Sequence, residues 1–273
     1  MTVMRKTILT SLILFLTTAC VWVNIDSAEL DYRRVETLTL DTGHISEIKI
    51  NAAAGFLKIE GVSELEQIEV TADIQAFNSD IELSLVQEGD TALLNADANP
   101  QRLSNFIGNS PKIDLTLRLP KRLAVNIIDG SGAIEISNID NSLMISDGSG
   151  SIEAEQISGD VMIKDGSGSI YLQKLGAALS ISDGSGGINI DGVKGKVMID
   201  DGSGEIHLRN LAKDVVLDDG SGSIDVKGVK GSLTISDGSG SIFVADVNGD
   251  FNLLDDSSGD LTLQSIGGNV NKR

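Results

Sequence analysis

Seven aspartates open seven near-identical tetrapeptides. Asp129, Asp147, Asp165, Asp183, Asp201, Asp219 and Asp237 are each followed by Gly-Ser-Gly, and each stands 18 residues from the next. Carboxylates at a fixed interval suit three kinds of chemistry. They can ligate a hard cation such as calcium, which takes oxygen ligands. They can work in pairs as general acid and base. Each can also cap a turn, its oxygen accepting a backbone N–H two residues on while glycine supplies positive φ.

The spacing favours the third use. Carboxylates stacked in register at roughly 4.8 Å repel by about 1 kcal/mol in water and by several times more at lower dielectric. Turn hydrogen bonds, partial protonation or cations must offset that. Calcium-binding nonapeptide rolls also run 18 residues per coil, but they spell Gly-Gly-x-Gly-x-Asp-x-apolar-x in both turns. Here Asp precedes the glycines, and the opposite turn carries Lys194-Gly195 and Lys230-Gly231. The seven aspartates are therefore read as turn residues. A calcium-dependent module is the alternative, and no metal ligand or cofactor is assigned.

Other reactive groups are sparse. His44 and His207 stand far apart, without a second His or Cys nearby. The pairs Asp200–Asp201 and Asp218–Asp219 recur with the corner, which makes them poor acid–base candidates. No helical pattern follows any glycine-rich stretch, as nucleotide loops and nucleophile elbows require. The expectation is no enzyme, with a polysaccharide-active β-helix as the enzymatic alternative. No catalytic residue is assigned.

Cys20 is the only cysteine. It follows a basic start (Arg5, Lys6), an apolar run from Ile8 to Leu16, and the small residues Thr17, Thr18 and Ala19. That run is too short to span a bilayer and fits an export signal over residues 1–19. The cysteine sits where bacterial lipoproteins are lipidated, although Thr17 occupies the usual leucine position. Ordinary cleavage after Ala19 or near Ala28 is the alternative. The expected location is the outer membrane, through lipid on Cys20, or the periplasm or cell surface.

The elements that position the corners follow from the same period. Five columns are apolar in every copy, exemplified by Ile152, Ala154, Ile157, Val161 and Ile163. Spacings of two mark strands whose alternate side chains share a face. Each period then holds two short strands and two turns. If each period is one coil, the columns become inward ladders. The expected fold is all-β: a single-stranded parallel β-solenoid, right-handed by the crossover preference, with 18-residue coils and Asp-Gly-Ser-Gly corners. Residues 20–45 read as a linker. Residues 46–123 read as a degenerate first coil plus a capping or inserted segment, and 124–270 as the regular repeats. In the first coil, Leu57 aligns with Ile152 and Ala52-Ala53-Ala54-Gly55 replaces the corner.

The net charge of −19 opposes nucleic acid as a partner, because a phosphate binder needs a basic footprint. The stretch IDLTLRLPKRLAVNIIDGSGAIEI, Ile113 to Ile136, together with the corner copies that follow, resembles the bacterial envelope family of adhesin-like β-strand-repeat proteins, domain of unknown function number 4097. The resemblance covers roughly residue 46 to the C-terminus. It implies an exported or lipid-anchored solenoid with no assigned reaction and supplies no catalytic residues. The expected partners are the membrane, through the lipid, and an envelope protein or glycan.

Overall fold

The computed structural model describes residues 30–100 and 110–272. Alternation of apolar and polar residues makes strands throughout, and the described residues contain no helix. The N-terminal part holds β1 (Tyr32–Asp41), β2 (Glu47–Ala52), β3 (Leu57–Val62), β4 (Gln67–Ala76), β5 (Glu82–Glu88), β6 (Thr91–Asp97) and β7 (Lys112–Pro120). The coils begin with β8 (Ala124–Asp129) and β9 (Ile134–Ile139), then β10 (Leu143–Asp147) and β11 (Gly150–Ile157). They continue as β12 (Val161–Asp165), β13 (Gly168–Leu175), β14 (Leu179–Asp183), β15 (Gly186–Val193), β16 (Val197–Asp201) and β17 (Gly204–Leu211). The last are β18 (Val215–Asp219), β19 (Gly222–Val229), β20 (Leu233–Asp237), β21 (Gly240–Val247), β22 (Phe251–Asp256), β23 (Leu261–Ile266) and β24 (Val270–Lys272).

Consecutive coils stack as a parallel β-solenoid. Odd-numbered strands from β9 to β23 pair in one sheet, and even-numbered strands from β8 to β24 pair in the other. Each coil contributes one strand to each sheet. The register is the 18-residue period itself: Ile152 pairs with Ile170, and Ile145 with Ile163. The five apolar columns face inward and are buried as far as Leu253; in the last coil Leu261, Leu263 and Ile266 are half-buried and Val270 is exposed. Each fully buried Ile, Leu or Val contributes about 1.5–3 kcal/mol before conformational entropy is counted.

The spacing of the third column has a backbone cause. Ile152 and Ala154 are two apart and share a face, but Ile157 is three further on and should point outward. One left-handed residue per coil restores it. Asn138, Gln156, Lys174, Asn210, Asp246 and Ser265 all have φ between 56° and 62°, and Gly192 and Gly228 have φ of 86° and 77°. A single αL residue reverses the alternation, so Ile139, Ile157, Leu175 and Val193 face inward.

The degenerate first coil is β2–β3. Ile48 and Ile50 pair with Val125 and Ile127, and Leu57 and Ile59 pair with Ile134 and Ile136. The segment after it builds the end of the rod. Parallel pairing lays β6 on β2 and β7 on β3, while antiparallel pairing adds β5 outside β6 and β4 outside β7. The linker boundary needs correction. Residues 32–41 of the expected 20–45 linker are β1, which pairs antiparallel with β4 along its whole length, Tyr32 to Ala76 through Asp41 to Gln67. β1 is the outermost strand of its sheet and extends it beyond β4.

Candidate functional site

The corner shows why it is spelled as it is. In the third copy, the Gly166 N–H donates to the Asp147 carbonyl at 3.1 Å, and the Gly168 N–H donates to the Ser185 carbonyl at 3.0 Å. The backbone thus bonds to the coil on either side through the bend. Stacking is close enough to exclude side chains. A Cβ at Gly168, where φ is +145°, would lie 1.5 Å from the Gly150 carbonyl oxygen, and one at Gly166 would lie 2.5 Å from that of Gly148.

Asp continues the alternation of its strand. In β10, Leu143, Ile145 and Asp147 all face inward. The seven corner aspartates are only 1–7 % exposed. They form a sixth inward column, in which Asp129, Asp147, Asp165 and Asp183 are successive paired residues. One oxygen of most of them caps the turn: Ser149, Ser167, Ser185, Ser203, Ser221 and Ser239 donate their backbone N–H to Oδ1 of the aspartate two residues earlier, at 3.1–3.3 Å. Oδ2 of Asp147, Asp165, Asp183, Asp201 and Asp219 is buried with no hydrogen-bond partner, and Asp129 lacks one on both oxygens.

Such a column favours the neutral acid. Burial, reinforced by the Asp147 carboxyl, pushes Asp129 up to about 7. Burial and the flanking Asp183 and Asp147 push Asp165 up to about 6, against partial relief from the Ser167 and Gly166 N–H groups. Asp219 rises to about 6 from burial and from Asp201, and Asp147, Asp183 and Asp201 also rise, burial being the largest cause in each. Each protonation in such a row removes one of the like charges that neighbouring carboxylates feel.

Among the described residues, no group of three or more His, Cys, Asp or Glu is placed to hold a metal ion. The corner carboxylates face the rod interior, not solvent, and all but Asp129 have one oxygen committed to the turn. His207 lies on β17 with Nε2 3.5 Å from the Glu205 carboxylate, and His44 lies in the turn after β1. The two do not share a site with the corners. Cys20 lies outside the described residues.

The outer surface holds what the repeat does not specify. One groove, of about 560 Å³, lies beside the αL turns and is lined by Arg118, Lys121, Lys174 and Lys194. Three of these cations are already opposed: Arg118 by Glu69 at 2.8 Å, Lys121 by Asp140 at 2.6 Å and Lys174 by Glu155 at 4.0 Å. A second groove, of about 550 Å³, crosses the outer face of the even-numbered sheet. Met144, Met162, Met198 and Val216 stand along it, 42–58 % exposed. These are all the methionines beyond residue 4, and all lie in one outward column. The sequence carried this signal as a run of Met at 18-residue spacing, interrupted by Ser180.

No family model matches the chain, and no curated protein matches it in sequence. Among solved structures, several align along most of the chain at low identity. A candidate cell adhesion protein from Clostridium sporogenes is 13 % identical, with 89 % of this chain and 100 % of that one covered and a TM-score of 0.40. A candidate lipid binding protein from Parabacteroides distasonis is 17 % identical over 88 % of this chain and 96 % of that one, with a TM-score of 0.43. A candidate adhesin from Bacteroides fragilis is 15 % identical over 88 % and 97 %, with a TM-score of 0.27.

Proposed function

We propose that this chain is a non-enzymatic rod of the bacterial envelope, acting as a structural or adhesin-like interaction module toward an envelope protein or glycan. Residues 1–19 direct export, and lipid on Cys20 holds the rod at the outer membrane. One observation carries the reading: among the described residues, the acidic groups repeated from coil to coil point into the rod, and all but Asp129 cap its turns. What the coils present outward is two long strand faces of varied sequence. Catalysis needs acid, base or nucleophile converging on one substrate position. The described histidines and corner carboxylates do not converge. Varied side chains on a constant backbone suit recognition, in which a few exposed residues set the partner.

The test begins with the full chain expressed in a bacterial host. Membranes are fractionated and the mature N-terminus is measured by mass spectrometry. The expected product begins at lipidated Cys20 in the outer-membrane fraction, and Cys20→Ser moves it to the soluble periplasm. An unlipidated N-terminus after Ala28 overturns the anchor. Cross-linking on intact cells then tests recognition: a specific adduct should disappear on charge reversal of outward residues and persist in the Asp183→Asn variant. Absence of any adduct to an envelope component overturns the interaction reading.

A further inference from the structure

We propose that two copies of this chain associate face to face through the outer surface of the even-numbered sheet, about a twofold axis parallel to the strands and passing over β14. The inference rests on the pattern of that face and not on where the protein resides.

Three outward columns alternate with the buried ones on this sheet. At β14 they are occupied by small residues: Ala178, Ser180 and Ser182. One coil toward the N-terminus stand Asp160, Met162 and Lys164; one coil toward the C-terminus stand Lys196, Met198 and Asp200. A twofold along the strand direction keeps each column over itself and exchanges these two coils. Asp160 then meets the partner's Lys196, Met162 meets the partner's Met198, and Lys164 meets the partner's Asp200. Both charged columns are complementary, with opposite polarity, and the central column is apolar. Two coils out, Met144 meets the partner's Val216, while Asp214 and Asp218 meet the partner's Ser142 and the partner's Ser146. No like charges face one another.

The other twofold that mates this face, parallel to the rod, sets Asp160 against the partner's Lys164 and Lys196 against the partner's Asp200, but it also sets Asp214 against the partner's Asp218 twice over. Those like charges at contact disfavour that arrangement relative to the axis along the strands, which brings no like charges together. The reversal of sign about β14 lets the patch complement itself about the strand-parallel axis, as an isologous interface must. The groups are available. All ten residues in this argument that carry charge or apolar bulk, in β10, β12, β16 and β18 or just before them, are exposed. Asp160 uses Oδ1 for the Ala178 N–H at 3.0 Å, and Lys196 approaches Asp214 only at 4.0 Å across well-exposed side chains.

Five strands at about 4.8 Å and five residues at about 3.3 Å give roughly 400 Å² of flat sheet per copy, about 800 Å² in total, below the roughly 1,200 Å² of stable specific interfaces and in the range of weak, transient ones. The association is therefore weak and concentration-dependent, with register set by the charged columns.

The experiment uses the full chain carrying Cys20→Ser, so that no other thiol is present. Sedimentation equilibrium should show monomer and dimer exchanging in the micromolar range. Lys164→Glu should weaken association at least tenfold, and adding Asp200→Lys to it should restore association. All these side chains point outward, so circular dichroism should show unchanged folding. Under mild oxidation Ser180→Cys, on the axis, should form a disulfide-linked dimer. Met144→Cys alone should not, but Met144→Cys with Val216→Cys should. A monomer at all concentrations overturns the proposal, as does a dimer indifferent to Lys164→Glu, a failure of Asp200→Lys to rescue, or efficient cross-linking of Met144→Cys alone.

Discussion

Replacing Asp165 by Asn should make the rod's stability less dependent on pH. The Asp165 carboxyl rises from 3.8 to about 6 because it is buried between Asp147 and Asp183. A carboxyl whose folded value lies above its unfolded value holds its proton more tightly in the rod than in the unfolded chain. Its favourable contribution is complete below about pH 4 and is lost as pH rises through about 6. The displacement is about two pH units, each worth about 1.4 kcal/mol, so ionisation at pH 8 costs about 3 kcal/mol. Asp165→Asn never ionises, keeps an oxygen for the Ser167 N–H, and offers an amide donor to the neighbouring carboxylates. Its advantage over wild type should therefore be about 3 kcal/mol larger at pH 8 than at pH 4. At roughly 2–4 °C per kcal/mol, the midpoint difference grows by about 6–12 °C. Asp165→Ala gives the same growth from a baseline about 1 kcal/mol lower, because the Ser167 N–H loses its acceptor. Thermal melts of the three proteins at pH 4 and pH 8, at constant ionic strength, decide it. An Asn advantage equal at both pH values refutes the reasoning, because the carboxyl would then ionise in the rod without penalty.

Other perturbations separate the interior from the surface. Ile181→Asp, at a position 2 % exposed, should unfold its region of the rod and lower the melting midpoint far more than the ~1 kcal/mol typical of substitutions, whereas outward Asn189→Asp should leave it nearly unchanged. Gly168→Ala should cost several kcal/mol or prevent folding, seen as loss of soluble protein or a greatly lowered midpoint, because its Cβ would meet the Gly150 carbonyl oxygen at 1.5 Å with φ at +145°. Chelation of calcium should leave the wild-type melting curve where it is; a drop of many degrees would give the corner column to a cation instead of protons.

The coils were legible because stacking repeats one environment eight times, so chance variation at Ile152 or Val161 averages out down the column. The same logic recovered β2–β3, where Leu57 keeps the register without the corner sequence. The cap was only partly legible. β1 and β4 pair across tens of residues with no period to reveal it, so β1 fell inside a stretch taken for linker. Two features of the coil are written in the sequence but less plainly. Leu143, Ile145 and Asp147 alternate, which continues the buried face through the carboxylate, but an acidic column does not stand out as the apolar ones do. The αL position is marked by Asn138, Gly192, Asn210, Gly228 and Asp246, the residue types that tolerate positive φ, but Gln156 and Lys174 in the same column obscure it. β22 carries one extra residue, Leu254, which bulges outward opposite the Ile235–Ser236 step of β20.

The inter-coil hydrogen bonds point along the rod, which governs how it carries load. Tension applied at its two ends opens those bonds coil by coil, like a zipper, instead of shearing a whole sheet at once. Each released coil is 18 residues long, and at about 3.4 Å per residue it pays out roughly 60 Å of chain while giving up one strand spacing of length. The N-terminal end, clamped by the antiparallel strands β1, β4 and β5, resists longest; the C-terminal coil, where β24 pairs over three residues only, yields first. A rod tethered at its N-terminus and pulled from the far end would lengthen many-fold at low force and rewind from its tethered end when the force is removed.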